Sequence, residues 1–353
     1  MKTTLHVAAL ATSLLAAGSA LPAAGAGEDP AYSPPVREHA TRLLWGDTHL
    51  HTTLSADAYT NDVRVTPEQA YEFARGLPVK ADNGMPVKLK HPLDFLVITD
   101  HSDYLGIYRK LAAGDPALAG WPVGERWAGY LRGDEPATLG LEFAAALQDG
   151  DPAYDVPAGV GDSIWAEVTA MAERYNDPGV FSAFIGYEWT SMISGDNLHR
   201  VVVYRDGADK AGQALPFTAR ESTDPEDLWQ ALADYEAKTG GEVIAIAHNG
   251  NVSNGRMFAP RRLGGEPIDA RYARLRSRWE PVYEVTQVKG DGEAHPVLSP
   301  EDEFADFETW DAGNISLTAE KEPWMLPYEY ARPALKAGLA FEEALGENPS
   351  SSA

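Results

Sequence analysis

The residues best suited to chemistry begin with two histidines and an aspartate close together, in the segment from Gly46 to Asp57. His49 and His51 follow a short apolar run, and Asp57 comes six residues after His51. Side chains alternate between the two faces of a strand, so His49 and His51 point the same way and can share one metal ion. A loop that folds back over the strand end would add Asp57 as an oxygen ligand. This spacing predicts a metal site built from imidazole and carboxylate groups.

Residues of the same types border other apolar runs that predict buried strands. The alternation of strands and helices predicts a parallel sheet, in which the carboxyl ends of the strands share one edge. Each residue alone could be a surface or capping group. Their coincidence favours one shared metal cluster, because a cation satisfies buried imidazoles and carboxylates together. The bordering residues are His101 after the run 93–98, Glu188 after the run 181–187, His199 before the run 200–204, and His248 after the run 243–247.

The composition restricts both the metal and the partners. The sequence has no cysteine, so disulfides and thiolate ligands are excluded, and imidazole with carboxylate suits a catalytic Zn, Mn or Fe ion. The net charge of −24 is unfavourable for binding nucleic acid or an anionic membrane surface. A hydrophobic content of 44% over 353 residues allows one large α/β domain or two smaller ones.

The N-terminus predicts export. Lys2 precedes an apolar run from Leu5 to Leu21 and a small-residue cleavage site ending at Ala26, the pattern of a signal peptide rather than a membrane anchor. We therefore expect a periplasmic or secreted protein that is soluble, with no membrane contact, after cleavage. The predicted organisation is a signal peptide at 1–26, an extended leader at 27–41, a metal-binding domain at 42–349 with an insertion at about 102–179, and a tail at 350–353.

Further elements follow from the local pattern. Thr66 before Pro67 is typical of a capped helix start, and helical periodicity predicts helices at 164–175 and 224–239. Apolar runs predict additional strands at 42–46 and 282–286.

Four segments resemble the motifs of the PHP (polymerase and histidinol phosphatase) superfamily of metal-dependent phosphoesterases. They are Asp47-Thr48-His49-Leu50-His51-Thr52, Ile98-Thr99-Asp100-His101, Gly186-Tyr187-Glu188-Trp189 and Ala247-His248-Asn249. Three longer segments are similar to an exported bacterial branch of PHP-like proteins that is described only as a domain of unknown function. They are Tyr187 to Ser191, His248 to Gly255, and Thr286 to His295. The resemblance extends from about Trp45 to Pro349.

The resemblance implies a distorted (β/α)7 barrel that holds two or three divalent metal ions at its C-terminal face. Such a centre accepts phosphate oxygens and lowers the pKa of a bound water, so that hydroxide attacks phosphorus. The expected function is an exported metal-dependent hydrolase, a phosphoesterase, acting on a small anionic substrate such as a phosphate ester. By motif, the expected ligands are His49 and His51 for one metal with Glu188 as a bridge, His199 and His248 for a second, and Asp57 with His101 for a third.

The segment from Lys289 to His295 allows two interpretations. Lys289 could contact the substrate anion and His295 could act as an acid or an outer ligand, which makes both candidate catalytic residues. Equally, the segment could be a glycine-rich turn before a helix. Three arginines are candidate phosphate contacts, although arginines of this kind are more often at the surface or paired with carboxylates; they are Arg200, Arg205 and Arg256.

One motif of the PHP superfamily is missing. PHP proteins carry a final Asp-x-His pair on their last strand, and no such pair follows residue 338. We therefore expect a truncated member whose barrel is incomplete at its C-terminal strands, with open sheet edges and fewer tight metal sites. The alternative function is a catalytically impaired remnant or a metal-binding protein without turnover. A third possibility is hydrolysis of amides or sulfate esters, because such barrels support several hydrolyses.

Overall fold

The computed structural model describes residues 42–350 apart from residues 82, 134 and 149. The predicted signal peptide and extended leader, residues 1–41, lie outside the described residues. Within the described part of the chain, no helix is long and apolar enough to cross a membrane.

The described residues form twelve strands and ten α-helices. The strands are β1 (Gly46–Leu50), β2 (Val79–Lys80), β3 (Pro86–Val87), β4 (Phe95–Ile98), β5 (Ser182–Trp189), β6 (Met192–Ile193), β7 (Asp196–Asn197), β8 (Arg200–Tyr204), β9 (Val243–His248), β10 (Val282–Glu284), β11 (Thr286–Gln287) and β12 (Gly290–Asp291). The helices are α1 (Ala56–Thr60), α2 (Pro67–Ala74), α3 (Ile107–Ala113), α4 (Pro122–Gly133), α5 (Pro136–Gln148), α6 (Val160–Tyr175), α7 (Ala208–Ala211), α8 (Pro225–Thr239), α9 (Ala270–Trp279) and α10 (Ala331–Leu345).

Six strands form the central sheet in the order β1-β4-β5-β8-β9-β10. Strand β8 runs antiparallel to both of its neighbours, β5 and β9, whereas the other adjacent pairs are parallel. The amino end of β8 therefore lies at the same edge of the sheet as the carboxyl ends of the other five strands. Residues just before β8 and residues at the ends of the other strands consequently meet at this edge.

The sheet is curled into a half-barrel. Four strand-to-strand steps separate β1 from β9, which in a flat sheet would amount to about 19 Å at ~4.8 Å per step. The ring centroids of His49 and His248, which lie in these two strands, are 4.2 Å apart. On the two outermost strands, His49 Nδ1 lies 2.8 Å from Glu284 Oε2. Side chains at the carboxyl edge thus bridge the gap between β1 and β10.

Local sequence explains why these elements form. Strands β4 and β9 are almost continuously apolar because both of their faces are buried, as is usual for inner strands. Helix α2 begins with a capping box: Thr66 Oγ1 accepts from the Gln69 backbone N–H, and Gln69 Oε1 accepts from the Thr66 backbone N–H. The core between the sheet and its helices contains fully buried tryptophans, each of which contributes about 2–3 kcal/mol by burial. They are Trp165, Trp189 and Trp229.

The predicted insertion at 102–179 forms a helical layer with its own core. Helices α3 to α6 lie in this stretch. Its core includes Ile107, Ile164 and Trp127, which is 0% exposed. The Trp127 indole N–H donates to Glu142 Oε2 at 2.9 Å, so the one polar atom of this ring also has a partner.

A long loop connects β12 to α10. It covers residues 292–330, all of them described, and contains no strand and one short helical turn, Leu326–Tyr328. Loops of this length are uncommon in compact domains and are often functional. The Ile315 backbone N–H donates to the Val252 backbone oxygen at 3.2 Å, and the Phe258 backbone N–H donates to that of Tyr328 at 2.9 Å. The long loop therefore packs on the segment that follows His248.

The α/β class is confirmed, and the predicted helices are present as α2, α6 and α8. The resemblance implied seven strands in a barrel, and the described residues place six strands in the curled sheet. The first strand lies at Gly46–Leu50 rather than 42–46, because pairing with β4 starts at Gly46 opposite Phe95. The expectation of a parallel sheet is wrong for β8. Only the short β6–β7 hairpin separates β5 from β8, and a parallel pair needs a longer crossover.

Candidate metal centre

The carboxyl edge of the curled sheet gathers histidines and carboxylates from six strands and from α1. Backbone pairing sets them side by side: Glu284 is in register with His248, and an isolated bridge pairs His101 with Glu188. The residues are His49 in β1, His51 directly after it, Asp57 in α1, His101 after β4, Glu188 in β5, His199 before β8, His248 at the end of β9 and Glu284 at the end of β10.

Glu188 is the centre of this cluster. Its side chain is 1% exposed, and the ring nitrogens of five histidines lie within 3.6 Å of its two oxygens. One carboxylate cannot accept hydrogen bonds from all five rings at once, so some ring nitrogens face its oxygens with a lone pair instead of an N–H group. A bound cation would remove the repulsion between these lone pairs. The contacts to Oε2 are His51 Nε2 at 2.7 Å, His101 Nδ1 at 3.3 Å and His49 Nε2 at 3.6 Å, and those to Oε1 are His199 Nδ1 and His248 Nε2, both at 2.8 Å.

Several buried atoms of the cluster have no hydrogen-bond partner among the described residues. His51 Nε2 lies 2.7 Å from Glu188 Oε2, yet these two atoms form no hydrogen bond. Two ligands of one metal ion, each about 2.1 Å from it, stand about 3 Å apart. Leaving such atoms unpartnered would otherwise cost free energy. The donors and their spacing therefore fit a divalent cation. The unpartnered atoms are His51 Nε2, Glu188 Oε2, His199 Nε2 and His248 Nδ1.

Four overlapping groups of residues could each hold a cation, with ligand atoms within 4.8 Å of one another. All seven predicted ligands belong to at least one group, so the structure brings them together. Glu188 belongs to two groups and is therefore placed to bridge two cations. The groups are His49 with His51 and Glu188, His49 with His248 and Glu284, His51 with Asp57 and His101, and His101 with Glu188 and His199.

The reading of the sequence missed Glu284. In the sequence it alternates with the apolar residues Tyr283 and Val285, a pattern in which a glutamate is typical of a solvent-facing position. Its carboxylate instead contacts His49 Nδ1 at 2.8 Å and is 18% exposed. The available signal was its position at the end of the strand, equivalent to that of His248 in β9.

Carboxylates orient three of the imidazoles through Nδ1. His49 Nδ1 lies 2.8 Å from Glu284, His51 Nδ1 3.0 Å from Asp57, and His199 Nδ1 2.8 Å from Glu188. An ionised carboxylate only accepts hydrogen bonds, so each ring holds a proton on Nδ1, and Nε2 is the nitrogen left to bind a metal once it is deprotonated. The geometry is that of metal-binding histidines held by a carboxylate.

Burial disfavours the charged form of an imidazole, and neighbouring charges oppose this effect at several of the rings. Burial lowers the pKa of His49, but Glu188 and Glu284 outweigh it and raise this pKa to about 9. Against the same opposing effect of burial, Glu188 and Asp57 raise the pKa of His51. At His199 burial prevails and lowers the pKa to about 4, despite Glu188. A cation that binds near neutral pH must therefore displace protons from the β1 side of the cluster.

The carboxylates of the cluster stay ionised. Burial raises the pKa of Glu188, but the surrounding histidines, His101 first, hold it well below its usual range. Burial likewise opposes ionisation of Asp57 and Glu284, and their histidine neighbours lower both pKa values. The cluster without a metal thus keeps several negative charges.

Asp100 ties together the two loops that carry His51 and His101. The backbone N–H and the hydroxyl of Thr52 donate to its carboxylate at 2.5 and 2.7 Å. Burial raises the pKa of Asp100 to about 6, although the bonds from Thr52 oppose this shift. Asp100 therefore fixes the position of the His51 loop against the end of β4.

The two predicted catalytic residues lie outside the four ligand groups. His295 is buried, with Nε2 3.1 Å from Asp311 Oδ1. Lys289 is half-buried, and its backbone oxygen accepts from Asn251 Nδ2 at 2.9 Å. The three arginines considered as phosphate contacts are paired with carboxylates: Arg200 with Glu280, Arg205 with Glu242, and Arg256 with Asp196.

Fold and site together define a class: an α/β protein whose curled sheet presents a buried centre of histidines and carboxylates suited to metal ions. The chain belongs to the family described as "Protein of unknown function (DUF3604)", whose family model matches residues 38–352. No curated protein and no solved structure matches the chain. The family match confirms the expected relation to a domain of unknown function.

Proposed function

We propose that this protein is an exported, metal-dependent hydrolase of the PHP type that acts on phosphate esters. The observation that carries the proposal is the position of Glu188, one buried carboxylate in contact with five imidazoles. Structural zinc sites in proteins generally use four ligands, often cysteines. A larger set of overlapping histidine and carboxylate groups favours several cations in one catalytic centre. The resemblance to PHP motifs supports the same conclusion.

A divalent Zn, Mn or Fe ion held by His49, His51 and Glu188 would polarise a phosphoryl oxygen and lower the pKa of a coordinated water. The residues of the chain do the positioning. Glu284 and Asp57 hold the rings of His49 and His51 through Nδ1. The Asp57 side chain is 46% exposed, so a substrate would approach from its side of the cluster.

Charge supports an anionic substrate only when cations are bound. The chain carries a net charge of −24, and the carboxylates of the centre are ionised. Without metal this surface repels a phosphate ester. Bound divalent cations reverse the local charge, so metal loading and anion binding are coupled.

The test is hydrolysis by a purified chain that lacks residues 1–26 and is loaded in turn with Zn, Mn or Fe. Substrates are a phosphomonoester, a phosphodiester, a sulfate ester and an amide. We expect turnover of a phosphate ester, its loss on chelation, and its loss in the double variant His49→Ala, His51→Ala. His91→Ala, a change at an exposed histidine, is the matched control and should retain activity. Equal activity in the double variant and the control would refute the proposal.

A second candidate, a metal-binding protein without turnover, is favoured by the burial of the inner ligands. The side chains of Glu188 and His248 are 1% and 2% exposed, whereas a catalytic metal keeps an open coordination position. Tight metal binding that depends on His49 and His51, together with no hydrolysis of the four substrates, would favour this candidate.

Export is also part of the proposal. It rests on the N-terminal pattern at residues 1–26. Expression of the full chain in a bacterial host, followed by mass measurement of the periplasmic product, should show cleavage after Ala26. Retention of the uncleaved chain in the cytoplasm would contradict export.

A further inference from the structure

A pocket outside the metal centre is formed by segments that adjoin two of its ligands in the chain. Its volume is about 580 Å³, and three segments form its walls: the turn between β6 and β7, the stretch from Asn254 to Arg261, and the long loop near Trp324. The first of these segments precedes the metal ligand His199, and the second follows the metal ligand His248.

Arg256 is held in this pocket as an oriented cation. Its Nε donates to Asp196 Oδ2 at 2.6 Å. Asp196 is itself fixed, because Asn314 Nδ2 of the long loop donates to its other oxygen at 3.0 Å. The terminal amino groups of Arg256 form no hydrogen bond with the described residues, and the side chain is 39% exposed. A guanidinium fixed through Nε presents these two groups as a fork that matches a carboxylate or phosphate.

The other walls add a second cation and an aromatic surface. Arg261 Nη1 donates to the backbone oxygen of Gly265 at 2.9 Å, and its guanidinium forms no ion pair with the part of the chain that the structure describes. Trp324 is 57% exposed, which is unusual for a ring of this size. Among the residues that line the pocket, Asp196 is the one carboxylate, and Arg256 already neutralises it. The two arginines and one aspartate of the lining leave one net positive charge, and the neighbouring Glu322, outside the lining, accepts a hydrogen bond from the Trp324 indole N–H at 2.9 Å.

Hydrogen bonds join the pocket to the metal centre. Asn197, next to Asp196, donates from Nδ2 to the backbone oxygen of His248 at 2.9 Å. The buried Lys321 of the long loop donates to the backbone oxygen of Asn251 and to Glu329 Oε2. Side chains from β7 and from the long loop thus bind the backbone of His248 and Asn251, which connects the walls of the pocket to the strand that carries His248.

We propose that this pocket binds a second anionic group of the substrate, a carboxylate or phosphate carried on an aromatic scaffold. Arg256 and Arg261 bind the oxyanion, and Trp324 packs on the ring. The claim that the occupant is a substrate rests on the proposed hydrolase function. The claim that the pocket binds an aryl oxyanion is independent of that function.

The first experiment measures binding without turnover. Chelator-treated protein is titrated calorimetrically with benzoate and with phenylphosphonate, and benzyl alcohol serves as the uncharged probe. We expect both anions to bind and the alcohol not to. Loss of a charge-assisted hydrogen bond should weaken binding about tenfold or more in Arg256→Gln. Arg261→Gln removes a single contact to Gly265 and should weaken binding without affecting the fold.

Two controls locate the binding. Arg205→Gln, a change at an exposed arginine paired with Glu242, should bind as the unmodified chain does. The double variant His49→Ala, His51→Ala should also retain binding, because the pocket does not use these ligands. Absence of anion binding overturns the proposal. The proposal is also overturned if Arg256→Gln and Arg261→Gln both bind the anions with unchanged affinity. It is overturned as well if only the double histidine variant loses binding.

The second experiment uses the metal-loaded enzyme with phenyl phosphate and 4-carboxyphenyl phosphate. Arg261→Gln should raise KM for 4-carboxyphenyl phosphate about tenfold without changing its kcat. The same variant should leave KM and kcat for phenyl phosphate unchanged. An equal effect on the two esters would contradict the pocket's role. If neither ester is hydrolysed, the proposed hydrolase function fails, while the titrations still decide on the pocket. If hydrolysis occurs without anion binding to the pocket, the further inference fails alone.

Discussion

Replacing Glu188 by Gln should disrupt the metal centre more than any other single isosteric change. The substitution keeps the shape of the side chain and removes its charge. Glu188 contributes an oxygen to two of the four ligand groups, and the other two groups do not include it. We therefore expect the affinity for a cation at Glu188 to fall severely, while weaker binding remains at the outer groups that contain Asp57 and Glu284.

The size of the effect follows from burial. The Glu188 side chain is 1% exposed, and removing one partner of a buried charge interaction costs about 3–5 kcal/mol. Since about 1.4 kcal/mol corresponds to a factor of ten, the affinity of the tightest cation should fall at least about 100-fold. The change also lowers the pKa of His49, because Glu188 helps to raise it. Weaker proton competition offsets part of the loss near pH 7, so the reduction should be larger at higher pH.

The assay is competition with a chromogenic chelator, supported by the thermal shift on adding metal. Glu280→Gln is the matched control, because Glu280 has a 2% exposed side chain and contacts arginines instead of histidines. We expect Glu280→Gln to lower stability and to keep the metal affinity of the unmodified chain. If the affinity of Glu188→Gln for the tightest cation is within a factor of about three of the affinity of Glu280→Gln, Glu188 is not the central ligand.

Three further predictions concern stability and are checked by chemical denaturation of metal-free protein. Arginines hold the pKa of Glu280 low despite its burial. Its contribution to the free energy of unfolding is therefore present above about pH 4.5 and is lost as the pH falls. Glu280→Gln should weaken this dependence of stability on acid pH. Lys321→Met leaves the buried Glu329 without its cation, and burial already raises the pKa of Glu329. The free energy of unfolding should fall by about 3 kcal/mol near neutral pH and by less in acid. Adding Glu329→Gln should make this loss of stability smaller. A Cβ on Gly186 would lie 2.7 Å from the Val202 backbone oxygen, so Gly186→Ala should destabilise by about 1–3 kcal/mol, whereas Gly129→Ala, with open space around it, should not.

The candidate site could largely be predicted from sequence because its ligands border recognisable apolar strands. His101 and His248 lie at or near the carboxyl ends of the buried strands β4 and β9. His49 lies near the end of β1, which is only partly buried, and the geometry of a parallel sheet brings such strand ends together. His199 joins them for a different reason. It precedes β8, and the antiparallel direction of β8 carries its amino end to the same edge.

The remaining features depend on pairing and packing that local sequence does not encode. A strand has the same residue pattern in either direction, so the reversal of β8 could be inferred only from its short connection to β5. The position of Glu284 at a strand end was a weak signal, and its contact with His49 depends on the curl of the sheet, which brings β10 to β1. The pocket at Arg256 requires the long loop, whose position is set by hydrogen bonds such as that from Asn314 to Asp196, and such contacts have no periodic signal in the sequence.

The contact between His49 and Glu284 has a consequence for the order of folding. These residues are 235 positions apart in the chain, and they come from opposite edges of the sheet. Such non-local contacts form late, because closing a long loop must precede them. A metal ion that arrives before the two edges of the sheet meet would find only part of its ligands. Complete loading should therefore be one of the last steps of maturation, and bound metal would report that nearly the whole described chain has folded.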